Sequence, residues 1–185
     1  MHRCIFLDRD NTIIHNDDHL GDPDGVILFE DVPASLQALH DAGWLLVVVT
    51  NQSCVARGIF TEQNVHDVHG EIRRRLRDAL GHDVLEHWYY SPWHPEGVVD
   101  AFRGEHHTRK PQPGMLLQAA DEHGIDLSGS WMLGDQVRDI RAGQAAGCRT
   151  ILLTMGGVQA MEDPQPEAIV DSFGAATAVI LDADA

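Results

Sequence analysis

Acidic and polar residues stand directly behind three apolar runs of this 185-residue chain, at spacings suited to moving a phosphoryl group. "CIFL" is followed by Asp8-Arg9-Asp10-Asn11-Thr12, "WLLVVVT" ends in Thr50 and leads to Asn51, and "SWMLG" leads into Asp135 and then Asp139. Asp8 and Asp10, with Asp135 as a third oxygen source, offer the hard ligands that Mg²⁺ prefers. A carboxylate is also a competent nucleophile toward phosphorus, giving an aspartyl-phosphate. Attack on a phosphate dianion needs charge neutralisation, which a metal and Lys110 would supply. Thr50 and the backbone amides after Asp8 would donate hydrogen bonds to the phosphoryl oxygens. Each piece alone has an ordinary reading: D-x-D occurs in turns, Thr-Asn after a strand caps or turns, and Gly-Asp starts helices. The ordered set is what points to phosphoryl chemistry: apolar run with D-x-D-x-T, apolar run with T-N, then K-P, then apolar run with G-D-x-x-x-D.

Such residues must be brought together by the elements that carry them. Cys4–Leu7, Trp44–Thr50, Val84–Ser91, Ser130–Asp135, Cys148–Thr154 and a short "AIV" read as strands, several of them β-branched and bounded by polar residues. Between them, Pro33–Ala42 reads as a helix stopped by Gly43. Thr61–Leu80 opens on a capping-box-like Thr61-x-x-Asn64 and carries Val65, Val68, Ile72, Leu76 and Leu80 at helical spacing. "GMLLQAADEHG", "VRDIRAGQAAG" and "SFGAATAVIL" complete the helices. The alternation predicts a Rossmann-like, doubly wound α/β fold, with a mainly parallel sheet and helices on both faces. In such a sheet the carboxyl ends of the strands face one crevice where ligands bind, so the distant acids should converge, with Lys110 at the same edge. Ile13–Glu30 and the loop after Ser91 interrupt the alternation without being long enough to form a second domain.

Composition narrows the partners. The length suits a single domain over residues 1–185. A net charge of −16 excludes a sequence-independent nucleic-acid binder, which needs a basic surface, and disfavours anionic membranes. No apolar run approaches the ~20 residues that span a bilayer, and "MHRCIFLDRD" reaches charged residues too early for a secretory signal. Cys4, Cys54 and Cys148 have no C-x-x-C spacing and read as reduced thiols, so the expected location is the cytoplasm.

The ordered motifs resemble those of the haloacid dehalogenase superfamily of phosphotransferases, as "FLDRDNT", "VVVTN", "RKP" and "MLGDQVRD". "TNQSCVARGIFTE", "YYSPWHPEGVVDAFR", "RKPQPGMLLQA" and "RDIRAGQAAG" resemble, more narrowly, its heptose bisphosphate phosphatase branch, over roughly residues 3 to 155. The resemblance implies Asp8 as nucleophile and Asp10 as general acid, then base. It implies Mg²⁺ held by the Asp8 carboxylate, the Asp10 backbone carbonyl and Asp135, a transferring phosphate held by Thr50 and Lys110, and Asp139 in support. Asn51, Arg57 and Arg109 are the candidates for holding the rest of the substrate, since guanidinium suits a second phosphate. The family lacks a separate cap domain, so a flap-like insert at 13–30 and a substrate loop at 91–110 would wall the pocket. The implied substrate is a small sugar phosphate, D-glycero-D-manno-heptose 1,7-bisphosphate cleaved at position 7, for lipopolysaccharide or capsule synthesis. The rivals are a histidinol-phosphate or broad sugar phosphatase and, in another class, a non-catalytic phosphate-binding protein. A monomer is expected.

Three departures stand out. Asn11 replaces a glycine of the first motif, tolerable because Asn accepts left-handed backbone, and Cys54 replaces a glycine after "TNQS". Many relatives hold a structural zinc in the substrate loop, at positions that are Ser91, Trp93, His106 and Thr108 here. Zinc needs four N, S or carboxylate donors, so that site cannot form and zinc is not expected. A replacement from His94, His106, His107 and Glu96 or Glu105 is the alternative. It is weakened because adjacent His106 and His107 would point apart on an extended chain. Packing on Trp93 and Phe102 is the expected anchor of the loop. His66 and His69, on the second helix, are expected at the surface.

Overall fold

The computed structural model describes residues 2–16, 18–154 and 165–183. Position 17 of the insert and the chain ends of the expected 1–185 domain lie outside the described residues. Six parallel strands form one sheet: β1 (Cys4–Leu7), β2 (Leu45–Asn51), β3 (His87–Ser91), β4 (Trp131–Gly134), β5 (Arg149–Leu153) and β6 (Ala168–Val170), in the order β3-β2-β1-β4-β5-β6. Five α-helices accompany them: α1 (Val32–Asp41), α2 (Glu62–Leu80), α3 (Gly114–His123), α4 (Val137–Ala146) and α5 (Phe173–Asp182). The doubly wound parallel sheet expected from the alternation is the one observed.

Both faces of the sheet are buried, which is why its strands read as continuous apolar runs and not as alternating ones. Successive side chains still point to opposite faces. Ile5 and Leu7 face one core with Leu46, Val48, Leu36, Ile72 and Phe173. Cys4 and Phe6 face the other with Val47, Val49, Met115, Leu116 and Met132. The helices divide accordingly, with α1 against α5 and α2, and α3 against α4.

The order reverses direction at β1, whose neighbours are β2 and β4. Chain connections leave in opposite directions on the two sides of that point and open a crevice at the strand ends. Asp8, which follows β1, and Asp135, which follows β4, flank it, and the Asp8 amide donates to the Leu133 carbonyl at 2.9 Å.

The capping box of α2 forms as its sequence predicts: the Thr61 amide donates to Asn64 Oδ1 at 2.9 Å, and the Asn64 amide to Thr61 Oγ1. One expectation on that helix is corrected. His69 is buried, with its ring 4.6 Å from that of Trp88 between centroids. It lies on the same stripe as Val65, Ile72 and Leu76, so the periodicity that buries them buries it too. Burial, with help from Arg9 and His66, pulls its pKa well below the ordinary imidazole value and keeps it neutral.

Candidate active site

The centre of the crevice is a buried ion cluster. The Lys110 side chain is fully buried, and its Nζ lies 3.0 Å from Asp8 Oδ1 and 2.7 Å from Asp139 Oδ1 while donating to the Val49 carbonyl at 2.8 Å. Burial works against the ammonium, but Asp139 and Asp8 outweigh it and hold Lys110 above its ordinary pKa. Asp8 moves the other way from a usual carboxylate. Burial pushes it up to about 7, opposed by Lys110 and reinforced by Asp139, Asp10 and Asp135. Asp135 is raised too, by burial first, against a hydrogen bond from Gln136.

These acids fit a divalent cation. Asp8, Asp135 and Asp139 each present a carboxylate oxygen within 4.8 Å of the others, the only such group of three among the described residues. Once ionised, three carboxylates against one ammonium leave two uncompensated negative charges, the complement of a doubly charged, oxygen-loving ion. Asp139 adds a carboxylate to the set implied by resemblance, in which Asp10 contributes its backbone carbonyl.

Asp10 is held by a ring of donors. Arg9 gives Nε and Nη2 to Oδ1 at 3.0 and 2.9 Å, Asn16 gives Nδ2 to Oδ1 at 2.9 Å, and Gln52 gives Nε2 to Oδ2 at 2.9 Å. Burial alone would raise its pKa, but Arg9 and the amides of Asn16 and Gln52 bring it below the ordinary value, so Asp10 is ionised. Gln52 escaped the sequence reading. It is buried, takes a hydrogen bond from Arg9 Nη2 at 2.9 Å and also donates to Thr50 Oγ1 at 3.0 Å, so one amide ties three site residues. Only its place one residue past Asn51 could have signalled this.

Local backbone explains several sequence choices. Asn11 has φ of 54°, the left-handed conformation that its replacement of glycine requires. Gly134 is dictated by its neighbour: a Cβ there would sit 2.4 Å from Asp139 Oδ2 and 2.5 Å from Asp139 Cβ. The glycine lets Asp139 fold back over the strand end, accept from the Gln136 amide at 3.0 Å and still reach Lys110. Asn51 has both ends of its amide on the Lys110 peptide, each at 3.0 Å, so it positions the lysine.

A cavity of about 280 Å³ opens beside this cluster. Asp10, Asp135, Asn51 and Cys54 line it, with Asn16, Asp18, His19 and Leu20 from the insert. Arg57 and Arg109 line it as well, joined by Arg138, which the sequence reading missed because it sits inside α4 without a motif of its own. Burial, then Arg138, pulls the Arg109 pKa below its ordinary value, a sign of cations crowded together.

The loop at 91–110 is ordered by contacts among Ser91, Trp93, His106 and Thr108. The Trp93 and His106 rings stack at 4.4 Å and 3°. His106 Nδ1 lies 2.8 Å from Thr108 Oγ1, which donates to Ser91 Oγ at 3.1 Å. Trp93 meets Phe102 edge-on at 6.0 Å, the anchoring pair expected from the sequence. The expectation for His106 and His107 is corrected: their rings lie 4.3 Å apart, because the chain turns there, with the Arg109 amide bonded to the His106 carbonyl. Among the described residues, His94, His106 and His107 do not converge on a three-ligand group.

Comparison with known proteins places this geometry in context. A family model described as HAD-hydrolase-like matches residues 107–176. The D-glycero-beta-D-manno-heptose-1,7-bisphosphate 7-phosphatase of Escherichia coli K12 is 41% identical over 155 residues, covering 83% of this chain and 80% of the relative. That of Pseudomonas aeruginosa is 34% identical, covering 96% and 97%. Among solved structures, a putative HAD-like phosphatase from Mesorhizobium loti superposes with a TM-score of 0.85 at 32% identity, over 97% of this chain and 86% of that one. The D,D-heptose 1,7-bisphosphate phosphatase of B. bronchiseptica, complexed with magnesium and phosphate, gives 0.82 at 27% identity, over 98% and 99%.

Proposed function

Because the chain belongs to the haloacid dehalogenase-like phosphatases and is a phosphoric monoester hydrolase, we propose that it removes the 7-phosphate of D-glycero-D-manno-heptose 1,7-bisphosphate through an aspartyl-phosphate on Asp8. The observation that carries the reading is Asp8 paired with buried Lys110 at the switch point of the sheet, beside a cavity lined by Asp10 and Asp135. A Mg²⁺ ion held by the Asp8 and Asp135 carboxylates, with Asp139 in reach and the Asp10 carbonyl as the further ligand implied by resemblance, would supply neutralisation of the phosphate charge.

The Asp8 carboxylate attacks phosphorus, and the bond from phosphorus to the sugar oxygen breaks. Lys110 and Thr50 hold the transferring phosphoryl oxygens, each exchanging a protein contact for one to substrate. Asp10 gives its proton to the departing sugar oxygen. An arriving phosphate dianion disfavours a second negative charge nearby, so it promotes the protonated form that this step requires. Ionised Asp10 then takes a proton from water, which attacks phosphorus and breaks its bond to Asp8. The proton gained from that water serves the next leaving oxygen.

The second phosphate suits the crowded guanidiniums. Arg57, Arg109 and Arg138 line one cavity, and none has a carboxylate within ion-pair distance among the described residues. Histidinol phosphate carries one phosphate and a cationic amine, and would leave these guanidiniums without an anionic partner. The insert at 13–30 and the loop at 91–110 wall the pocket of one domain. A cytoplasmic monomer serving lipopolysaccharide or capsule synthesis completes the reading, and no described helix is long and apolar enough to cross a membrane. Phosphate release from a panel of esters tests it: the heptose 1,7-bisphosphate should be the best substrate, and Asp8→Asn should abolish Mg²⁺-dependent release. Faster turnover of histidinol phosphate would overturn the substrate, and undiminished activity of the variant would overturn the mechanism.

A further inference from the structure

Two neighbouring residues of the substrate loop hold two of the three cavity arginines. Arg109 Nη1 donates to the Trp93 carbonyl at 2.9 Å, and Arg57 Nη2 lies 3.0 Å from His94 Nε2. The first is a main-chain contact that any residue at position 93 would offer. The second depends on the imidazole. His94 is buried, and its backbone is fixed by bonds from its amide to the Phe102 carbonyl and from the Gly97 and Gly104 amides to its own carbonyl. The ring therefore has little freedom to leave.

Its hydrogen bonding is over-subscribed. His94 Nδ1 accepts from the Glu96 amide at 3.1 Å, while Nε2 faces a guanidinium, which only donates. A neutral imidazole carries one N–H and accepts at one nitrogen only. With the proton on Nε2 the Glu96 bond is satisfied and Arg57 meets another donor. With the proton on Nδ1, Arg57 is satisfied and Glu96 is not. Protonating both nitrogens is worse, and burial, Arg109 and Arg57 lower the pKa of His94 and keep it neutral. Arg57 is thus placed at the cavity by a partner that cannot hold it firmly.

We propose that His94 is a positioning residue for substrate selection: it holds Arg57 at the cavity in the empty protein and yields it to the second anionic group of a bisphosphate. When the phosphate arrives, Arg57 turns its N–H to the phosphate oxygen, and the His94 proton resides on Nε2 with Glu96 satisfied. The ligand relieves a conflict in the empty site, so part of its selectivity comes from a residue that never touches it. This rests on the heptose bisphosphate reading above.

Two conservative variants separate this role from a structural one. His94→Asn keeps an acceptor near Nδ1 for the Glu96 amide and removes the partner of Arg57. His94→Gln extends an acceptor toward the position of Nε2 and keeps that partner. KM would be measured for D-glycero-D-manno-heptose 1,7-bisphosphate and for the 7-phosphate alone, alongside thermal stability. The ratio of the two KM values should move against the bisphosphate by about 3- to 10-fold in His94→Asn, the worth of one ordinary hydrogen bond, and stay within about twofold of wild type in His94→Gln. In an Arg57→Ala background His94→Asn should add little, because the two residues act as one unit. Equal losses on both substrates, or an unchanged ratio in His94→Asn, would sink the role of His94 while leaving the bisphosphate reading intact. A wild-type enzyme that binds both substrates equally would overturn both.

Discussion

Replacing Lys110 by Met tests the buried cluster most directly. Met keeps most of the stem volume and removes only the ammonium, so no large cavity is created. The loss leaves Asp8 and Asp139, 3.0 and 2.7 Å from the vanished charge, without their cation, and the Val49 carbonyl without its donor. Removing one partner of a buried ion pair costs about 3–5 kcal/mol. An independent route gives a similar figure: keeping a buried carboxyl protonated at pH 8, about four units above its usual pKa, costs about 5 kcal/mol. For a chain of this size each kcal/mol is worth about 2–4 °C, so Tm of the metal-free protein should fall by about 6–20 °C at pH 8. The deficit should shrink toward pH 5, where protons neutralise buried acids at smaller cost. Differential scanning calorimetry with chelator, at both pH values, reads both effects. Phosphate release should fall by at least about 10²-fold, the usual loss for one donor to the transferring group. A Tm within about 2 °C of wild type at pH 8, or a deficit that grows as pH falls, would refute the reasoning.

Two further outcomes follow from the same cluster. Asp8 has a folded-state pKa of about 7, raised by burial from 3.8, so the metal-free fold retains a proton that the unfolded chain has released. Metal-free stability should therefore fall as pH rises between those values, while a divalent ion takes the charged form; the Tm gain from MgCl₂ should grow from pH 5.5 to 8, and a gain equal at all pH values would contradict this. Gly134→Ala drives a Cβ to 2.4 Å from Asp139 Oδ2, so it should lower Tm by several degrees, about 1–3 kcal/mol of overpacking, and cut kcat more than KM; wild-type kinetics would show that Asp139 need not fold over the strand end.

Much of this was legible from residue order. Buried parallel strands announce themselves as short apolar runs, and polar residues just past them must lie at one edge, because every strand of a parallel sheet ends on the same side. That placed Asp8, Asp10, Thr50, Asp135 and Lys110 together without coordinates. Asn11 could be assigned its left-handed turn for a similar reason, since the conformation is a property of the residue and its neighbours. The burial of His69 follows from its place on the same stripe as Val65 and Ile72, although a polar side chain favours the surface.

Pairing between side chains was not legible. Nothing in spacing says that Gln52 joins Arg9, Asp10 and Thr50, that Asn51 spends its amide on Lys110, or that the Asp139 carboxylate reaches those of Asp8 and Asp135. Those outcomes depend on rotamers and burial, which are settled only when loops from four strand ends compete for the same few ångströms. The substrate loop shows the same division. Its sequence excludes the four-donor zinc set implied by resemblance, because ligand chemistry belongs to residue type. What orders it instead, a Trp93–His106 stack closed by Thr108 and Ser91, required the turn at His106 that brings those side chains together. The sequence by itself determined which chemical groups were present and which sheet edge would hold them. The tertiary structure decided which partner each group took, because a hydrogen bond or ion pair is won by whichever neighbour lies within about 3 Å at the right angle.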